Sequence, residues 1–403
     1  MPVLLHPSLN GGPSNKDVLV GLDRELAFSV DEYESRISKV RDGMAAIGAE
    51  ILITREPSNV LYLSGFQTFS VFGGECVIIP VEGDPILVVH PPELGTALLH
   101  TWFDRVFGYP EDSNRESYLA KLIVDLLKST SRIAIEKQNL GITVSEYEAL
   151  QGMFHGLEFV DGSSIISTVR RIKSSNEIEY LRQSAKITDL GIYSAIEAVV
   201  EGNTDGDVAA AAAEALISGG SEYMSLSPIV TTGRRSGILH SNHKRRNLER
   251  GDVILMEMGA SYQRYTSPMM RTVTIGQPES DVQRGIDACL DALNKVLGAI
   301  GPGVSVEDVA RVGWEGIDRV GSGMVFHGVF GYSVGTSLPP KWSDGTAAIK
   351  LGLDIILEPG MVFHHPVALR DLGKYGVAFS ETSVVTNDGC EILTSVPRHP
   401  NVR

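Results

Sequence analysis

Gly251–Ile275 reads GDVILMEMGASYQRYTSPMMRTVTIG, two apolar strand runs around a polar turn, and no other segment constrains the fold as tightly. The runs 253–260 and 268–275 are placed to pair as a hairpin. Inside the first run stands a carboxylic acid, Glu257. An unpaired buried carboxylate is costly, so this side chain is paired, protonated or functional. Arg271 on the adjacent strand offers a buried ion pair. The alternative is a catalytic base or nucleophile. Desolvation would raise its pKa and a nearby cation would lower it, so its resting charge stays open at this level.

Around that hairpin the chain reads as an arm and two domains, as its 403 residues suggest. Residues 1–28, rich in Gly, Pro and Asn up to Asp17, read as an irregular arm. Ser29 with Glu32 three residues later is a capping-box pattern, and Tyr33, Ile37, Val40, Met44 and Ile47 then recur at helical spacing. Strand-like runs at 50–54, 76–80, 85–90, 133–135 and 157–160 alternate with helical stretches, which predicts an α/β domain over 29–167. A second capping box, Ser174 with Glu177, opens a long helix striped by Ile178, Leu181, Ala185, Ile192, Ile196 and Val199. It begins the second domain, 168–403. Further helices are expected at 207–217 and 282–300. Asn387-Asp388-Gly389 between two apolar runs is a hairpin turn signal.

Composition narrows the partners. Lys+Arg 35 against Asp+Glu 50 gives a net charge of −15, which argues against nucleic acid or an anionic membrane surface. Cys76, Cys289 and Cys390 are odd in number and scattered, so neither a disulfide framework nor a zinc knuckle is suggested. The N-terminus lacks a basic segment followed by a long apolar run, and no stretch of 18 uncharged apolar residues occurs. A cytoplasmic protein without a membrane span is the expectation.

Several residues are candidates for chemistry. His240 lies in GILHSNHKRR, eleven residues before Gly251, and His243 competes with it from a more basic, solvated context. Glu381 in FSETS is a possible second acid or base. On a strand, however, a shift of one residue turns a side chain to the opposite face. Tyr332, near the glycines at 331 and 335, offers a phenol, and Pro339-Pro340-Lys341 stiffens the chain ahead of Trp342. His364 and His365 are consecutive on a strand, so at most one faces a given pocket. Pro268 and Pro366 predict strand irregularities. Arg234, Arg235, Lys244, Arg245 and Arg246 read as a solvated loop face, with capture of a substrate carboxylate as the alternative. In NVLYLSGFQTFSVFGGE, Tyr62, Phe66, Phe69 and Phe72 read mainly as core.

These segments resemble the creatinase/methionine aminopeptidase (pita-bread, M24-type) superfamily over roughly residues 29–400. The firmest anchors are the helix VRRIKSSNEIEYLRQSAKI, LEPGMVF and SVVTNDGCEIL. The resemblance implies an α/β N-terminal domain followed by an α+β pita-bread C-terminal domain. It also places the family's metal ligands: the two Asp fall on Glu257 and Pro268, the His on Tyr332, and the two Glu on Pro366 and Ser380. A dinuclear site needs several hard oxygen donors and an imidazole, so no metal and no other cofactor is expected. His240 matches the spacing of the family's active-site His. Tyr265-x-x-Pro268-Met269-x-Arg271-Thr272, the Tyr332–Trp342 segment and Phe363-His364 look most like the ectoine hydrolases, a metal-independent branch. By that resemblance the reaction is ring opening of a small cyclic amidine, ectoine, to N-acetyl-2,4-diaminobutyrate. Glu257 would attack or activate water, His240 would shuttle the proton, and Glu381 would hold the ring nitrogen or act as second acid/base. Tyr332, Trp342, Arg271, Phe66 and His364 would contact substrate, in a homodimer whose first domain lids the partner's pocket. Creatinase itself fits less well, because its catalytic Glu residues fall on Met270 and Pro366. A creatinase-like or Xaa-Pro-type hydrolase of another small substrate, or a silent binding module, is the alternative.

Overall fold

The computed structural model describes residues 23–403 apart from 69–73, 110–114, 125, 127–131, 139–140, 155, 318–319, 321–322 and 400. Most of the expected arm, and Phe69 and Phe72, thus lie outside the described residues. The chain divides into two compact units, Met1–Val169 and Arg170–Arg403.

In the first unit, helix α1 (Val30–Ala46) starts at Ser29, whose hydroxyl accepts the Glu32 amide, and buries Tyr33, Ile37, Val40 and Met44. Six strands follow: β1 (Ile51–Thr54), β2 (Cys76–Pro80), β3 (Ile86–Val89), β4 (Arg105–Gly108), β5 (Arg132–Ile135) and β6 (Glu158–Asp161). They form one mixed sheet in the order β4-β3-β2-β1-β5-β6, with β1 antiparallel to β2 and parallel to β5. Its inner strands are apolar without alternation because both faces are covered. Leu52, Val77, Ile79 and Leu87 enter one core, while Ile51, Ile53, Ile78 and Ile86 enter the other. β4 escaped the sequence reading.

In the second unit, α2 (Ser175–Ala198) carries the full capping box: Ser174 Oγ accepts the Glu177 amide at 3.2 Å and Glu177 Oε2 accepts the Ser174 amide at 2.9 Å. α2 and α3 (Asp205–Ser218) cover a sheet ordered β19-β11-β8-β7. Its strands are β7 (Ile229–Thr232), β8 (Val253–Met258), β11 (Met269–Thr274) and β19 (Asn401–Val402). The expected hairpin is present as the antiparallel pair β8–β11. A small ribbon, β9 (Ser261–Tyr262) and β10 (Tyr265–Thr266), sits between them. α4 (Ser280–Ala299) and α5 (Val306–Ile317) bury their apolar stripes in a separate core. A second sheet runs β13-β12-β14-β17-β18, from β12 (Gly331–Val334), β13 (Ser343–Ile349), β14 (Val362–His364), β17 (Thr382–Val385) and β18 (Cys390–Ile392). The hairpin β15 (Val367–Asp371)–β16 (Tyr375–Phe379) ties into β11. Thr272 Oγ1 donates to Ala378 O at 3.0 Å and accepts the Ala378 amide at 2.8 Å. Strands break at both expected prolines: β11 begins after Pro268, and Pro366 separates β14 from β15. Among the described residues no helix is long and apolar enough to cross a membrane.

Candidate active site

The register of β8 against β11 decides which side chains meet. Glu257 lies opposite Met270, and Arg271 lies opposite Met256. Successive strand side chains alternate faces. Ile254, Met256 and Met258 therefore enter the core under α2 and α3, while Leu255 clusters with Met270, Ala368 and Ala378 on the other face. Glu257 shares that second face and opens, half-buried, into a cavity of about 160 Å³. The cavity's polar lining is Glu257, Tyr332, Arg370, His240 and His327; its apolar lining includes Met270, Pro366 and Ala368.

The same alternation corrects the expected partner of Glu257. Arg271, fully buried, points away from the cavity: its Nη2 donates to Glu381 Oε1 at 2.8 Å and its Nη1 to Ser380 O at 2.7 Å. Arg271 thus pairs with Glu381, not with Glu257. Glu381 is 2 % exposed, accepts a bond from Thr394 as well, and does not line the cavity. The one-residue offset that places Ser380 toward β14 sends Glu381 to the opposite side. Neither Glu381 as a second acid/base nor Arg271 as a substrate contact agrees with these positions.

His240 reaches the cavity on a loop that the backbone pins down. A Cβ on Gly237 would stand 2.8 Å from the Asp371 carbonyl oxygen, so only glycine lets this turn lie against the β15–β16 hairpin. Ser236 Oγ accepts the Gly376 amide at 2.8 Å, and Arg235 Nη2 donates to Ser241 Oγ at 2.7 Å. His240 itself has φ 57°, a left-handed conformation that side-chain-bearing residues adopt at some cost and that concentrates at functional sites. Arg235 is a loop staple, Arg246 pairs with Asp252 at 3.2 Å, and Arg234, Lys244 and Arg245 are exposed. His243 bonds the neighbouring Asn242 and does not line the cavity.

Tyr332 faces Glu257 from β12 and heads a chain of hydrogen bonds. Trp342 Nε1 donates to the Tyr332 hydroxyl at 2.8 Å, and that hydroxyl lies 2.7 Å from His364 Nδ1. His364 Nε2 lies 2.7 Å from Ser380 Oγ, which accepts the Met270 amide at 2.6 Å. Trp342 and His364, expected to touch substrate, do not line the cavity; they stand behind Tyr332 and orient it. Phe66, the remaining expected contact, is 2 % exposed in the core of the first unit.

Burial sets the protonation states. Desolvation pushes the Glu257 carboxyl up to about 8, with Arg370 pulling in the opposite direction, so near neutrality it is largely protonated. Desolvation and the neighbouring Glu257 hold Tyr332 well above the ordinary phenol range, and burial holds His364 well below the ordinary imidazole range. Tyr332 is therefore a neutral phenol and His364 a neutral imidazole. Arg370, on β15, and His327 are the polar lining residues that the sequence reading missed; Arg370 follows the apolar run Val367-Ala368-Leu369, but with Asp371 beside it the charge marks a strand end as readily as a site.

At the five positions where the resemblance puts metal ligands, the donors do not fit a dinuclear site. Pro268 and Pro366 have no side-chain donor, the Ser380 hydroxyl is engaged by His364 and the Met270 amide, and Tyr332 keeps its proton. Glu257 alone is a carboxylate. Among the described residues no three His, Cys, Asp or Glu side chains gather as a metal-binding group.

Comparison with known proteins agrees with this architecture. The profile of metallopeptidase family M24 matches residues 179–387, and that of the creatinase/prolidase N-terminal domain matches 36–172. The chain is 30 % identical to the ectoine hydrolase of Halomonas elongata, over 93 % of this chain and 98 % of that protein. It is 27 % identical to a Xaa-Pro dipeptidase of Pyrococcus furiosus, over 91 % and 99 %. Among solved structures, the prolidase of Thermococcus sibiricus superposes with a TM-score of 0.82 at 24 % identity, covering 93 % of this chain and 100 % of that one. The prolidase of Pyrococcus horikoshii superposes with a TM-score of 0.80 at 24 % identity, covering 91 % and 99 %. The chain belongs to metallopeptidase family M24, with a creatinase/prolidase N-terminal domain ahead of a pita-bread domain.

Proposed function

We propose that this M24 hydrolase works without a metal, opening the C–N bond of a small cyclic amidine, with ectoine the first substrate to test. The observation that carries the reading is the cavity wall, where a desolvated carboxyl, Glu257, faces a neutral phenol, Tyr332, while Pro268, Pro366 and the engaged Ser380 offer no free metal donor. Size supports it: an apolar cavity of roughly 150 Å³ takes a ligand of about benzene's size. A cavity of about 160 Å³ has room for one small ring. The ectoine hydrolase relative points to the same substrate class.

In this mechanism the cationic amidine draws Glu257 into its carboxylate form, and the carboxylate takes a proton from water as the water oxygen bonds to the amidine carbon. Collapse of the tetrahedral adduct breaks one C–N bond. His240 delivers a proton to the leaving nitrogen, and the product is an amide with a free amine. The Tyr332 hydroxyl, held from behind by Trp342 and His364, donates to the substrate nitrogen as charge shifts there. A silent binding module would have no use for the desolvated carboxyl of Glu257, which costs stability wherever it ionises.

The test is a turnover screen over ectoine, hydroxyectoine, creatine and Xaa-Pro dipeptides, with elemental analysis and chelator treatment of the same preparation. Ectoine turnover that survives chelation, without stoichiometric transition metal, is expected. About two metal ions per chain together with chelator-abolished activity would sink the metal-free mechanism.

A further inference from the structure

We infer that Arg370 makes the cavity a carboxylate-binding site, so that its ligand is a small organic acid held by its carboxylate at one wall and facing Glu257 with its nitrogen-bearing end. The inference rests on the proposed small-molecule hydrolase reading and adds the anionic end of the substrate to it.

Arg370 differs from every other buried arginine among the described residues. Arg36 bonds Glu32 at 2.8 Å, Arg55 meets Glu146 at 3.1 Å, and Arg271 bonds Glu381 at 2.8 Å. Arg170 donates to the Thr336 carbonyl at 2.8 Å and Arg264 to that of Ser337 at 3.1 Å. The guanidinium of Arg370 has no ion pair or hydrogen bond among the described residues, its Nε is buried without a partner, and the residue is only 4 % exposed. It lines the cavity. A buried unpaired charge is among the most expensive groups a fold can retain. Glu257 does not relieve it: the two interact through space, but no contact within ion-pair distance joins them. The backbone that carries Arg370 is fixed on both sides. The Val325 amide donates to Arg370 O at 2.7 Å, the Arg370 amide donates to Val325 O at 3.1 Å, and Arg370 pairs with Gly376 across the hairpin. A desolvated, unpaired guanidinium on a fixed strand beside a small cavity is a receptor for a planar carboxylate, which it can engage through two parallel N–H donors.

Two probes of equal shape test this without reading turnover: cyclopentanecarboxylate and its neutral twin cyclopentanecarboxamide, titrated calorimetrically into the full chain at pH 7. Wild type should bind the carboxylate at least about tenfold more tightly than the carboxamide, as a charge-assisted bidentate contact implies. R370Q should erase that preference, and R370K should retain part of it because the charge stays while the fork is lost. Equal affinity of wild type for both probes, or no binding of either, overturns the inference even if the variants misfold. So does a folded R370Q that keeps the preference. A carboxylate preference with a blank ectoine screen would leave the subsite standing and remove the substrate. Ectoine turnover without carboxylate preference would do the reverse.

Discussion

Replacing Glu257 with Gln keeps shape and packing while removing the titrating group, and its effect on stability can be worked from the fold. The carboxyl moves from an ordinary value of 4.5 to about 8 because burial disfavours its charged form. Between those values the folded protein holds a proton that the unfolded chain has released. The raised folded pKa therefore contributes stability that is complete below about 4.5 and is lost as pH climbs through about 8. Each unit of difference is worth about 1.4 kcal/mol, so the ionised group costs the wild-type fold at most about 5 kcal/mol above pH 8 and about 3 kcal/mol at pH 7. Partial access of Glu257 to the cavity reduces this, and about 2 kcal/mol at pH 7 is the working figure. Urea unfolding of both proteins from pH 5 to 9 should give E257Q a lead over wild type that grows with pH, while turnover falls by about two to four orders of magnitude, as for loss of a general base. Parallel pH profiles, or an E257Q protein that is less stable at pH 8, would refute the desolvated, unpaired carboxyl. Near wild-type turnover in folded E257Q would end the mechanism.

The remaining predictions are briefer. Because free Glu257 titrates near 8, kcat/KM of wild type should rise with pH through about 8, and a profile that falls there would recast Glu257 as an acid. H240N should lower kcat strongly, and H240N/E257Q should be scarcely worse than either single variant if both serve one proton transfer; additive losses would separate them. Y332F removes the hydroxyl that Trp342 and His364 orient, so kcat should fall about tenfold or more with KM little changed, whereas a pure KM effect would make Tyr332 a binding contact only. We also propose that the working form is a homodimer; light scattering that finds a fully active monomer would contradict it.

Local pattern was enough for much of this protein. The Ser29 N-cap, the full capping box of α2, the α1 stripe, the β8–β11 hairpin and the turn at Asn387-Asp388-Gly389 were legible because each depends on neighbours within a few residues. Glu257 was legible as well, since a charge in an apolar strand is conspicuous whatever surrounds it. Partnership was not legible. Sequence proximity on adjacent strands suggested Arg271 for Glu257, but a register that sets Arg271 opposite Met256 turned it to the other face, where Glu381 waits 110 residues away. Tyr332, His364 and Ser380 likewise form one chain only because β12 pairs with β14 and the end of β16 bonds to β11, which no local signal encodes. Arg370 stands out only against the other buried arginines among the described residues, each of which has a partner. The sequence by itself determined which elements form and which side chains are expensive to bury. Tertiary structure alone decided which of those are neutralised and which are left facing the cavity, because strand register and sheet contacts are set by distant segments packing together.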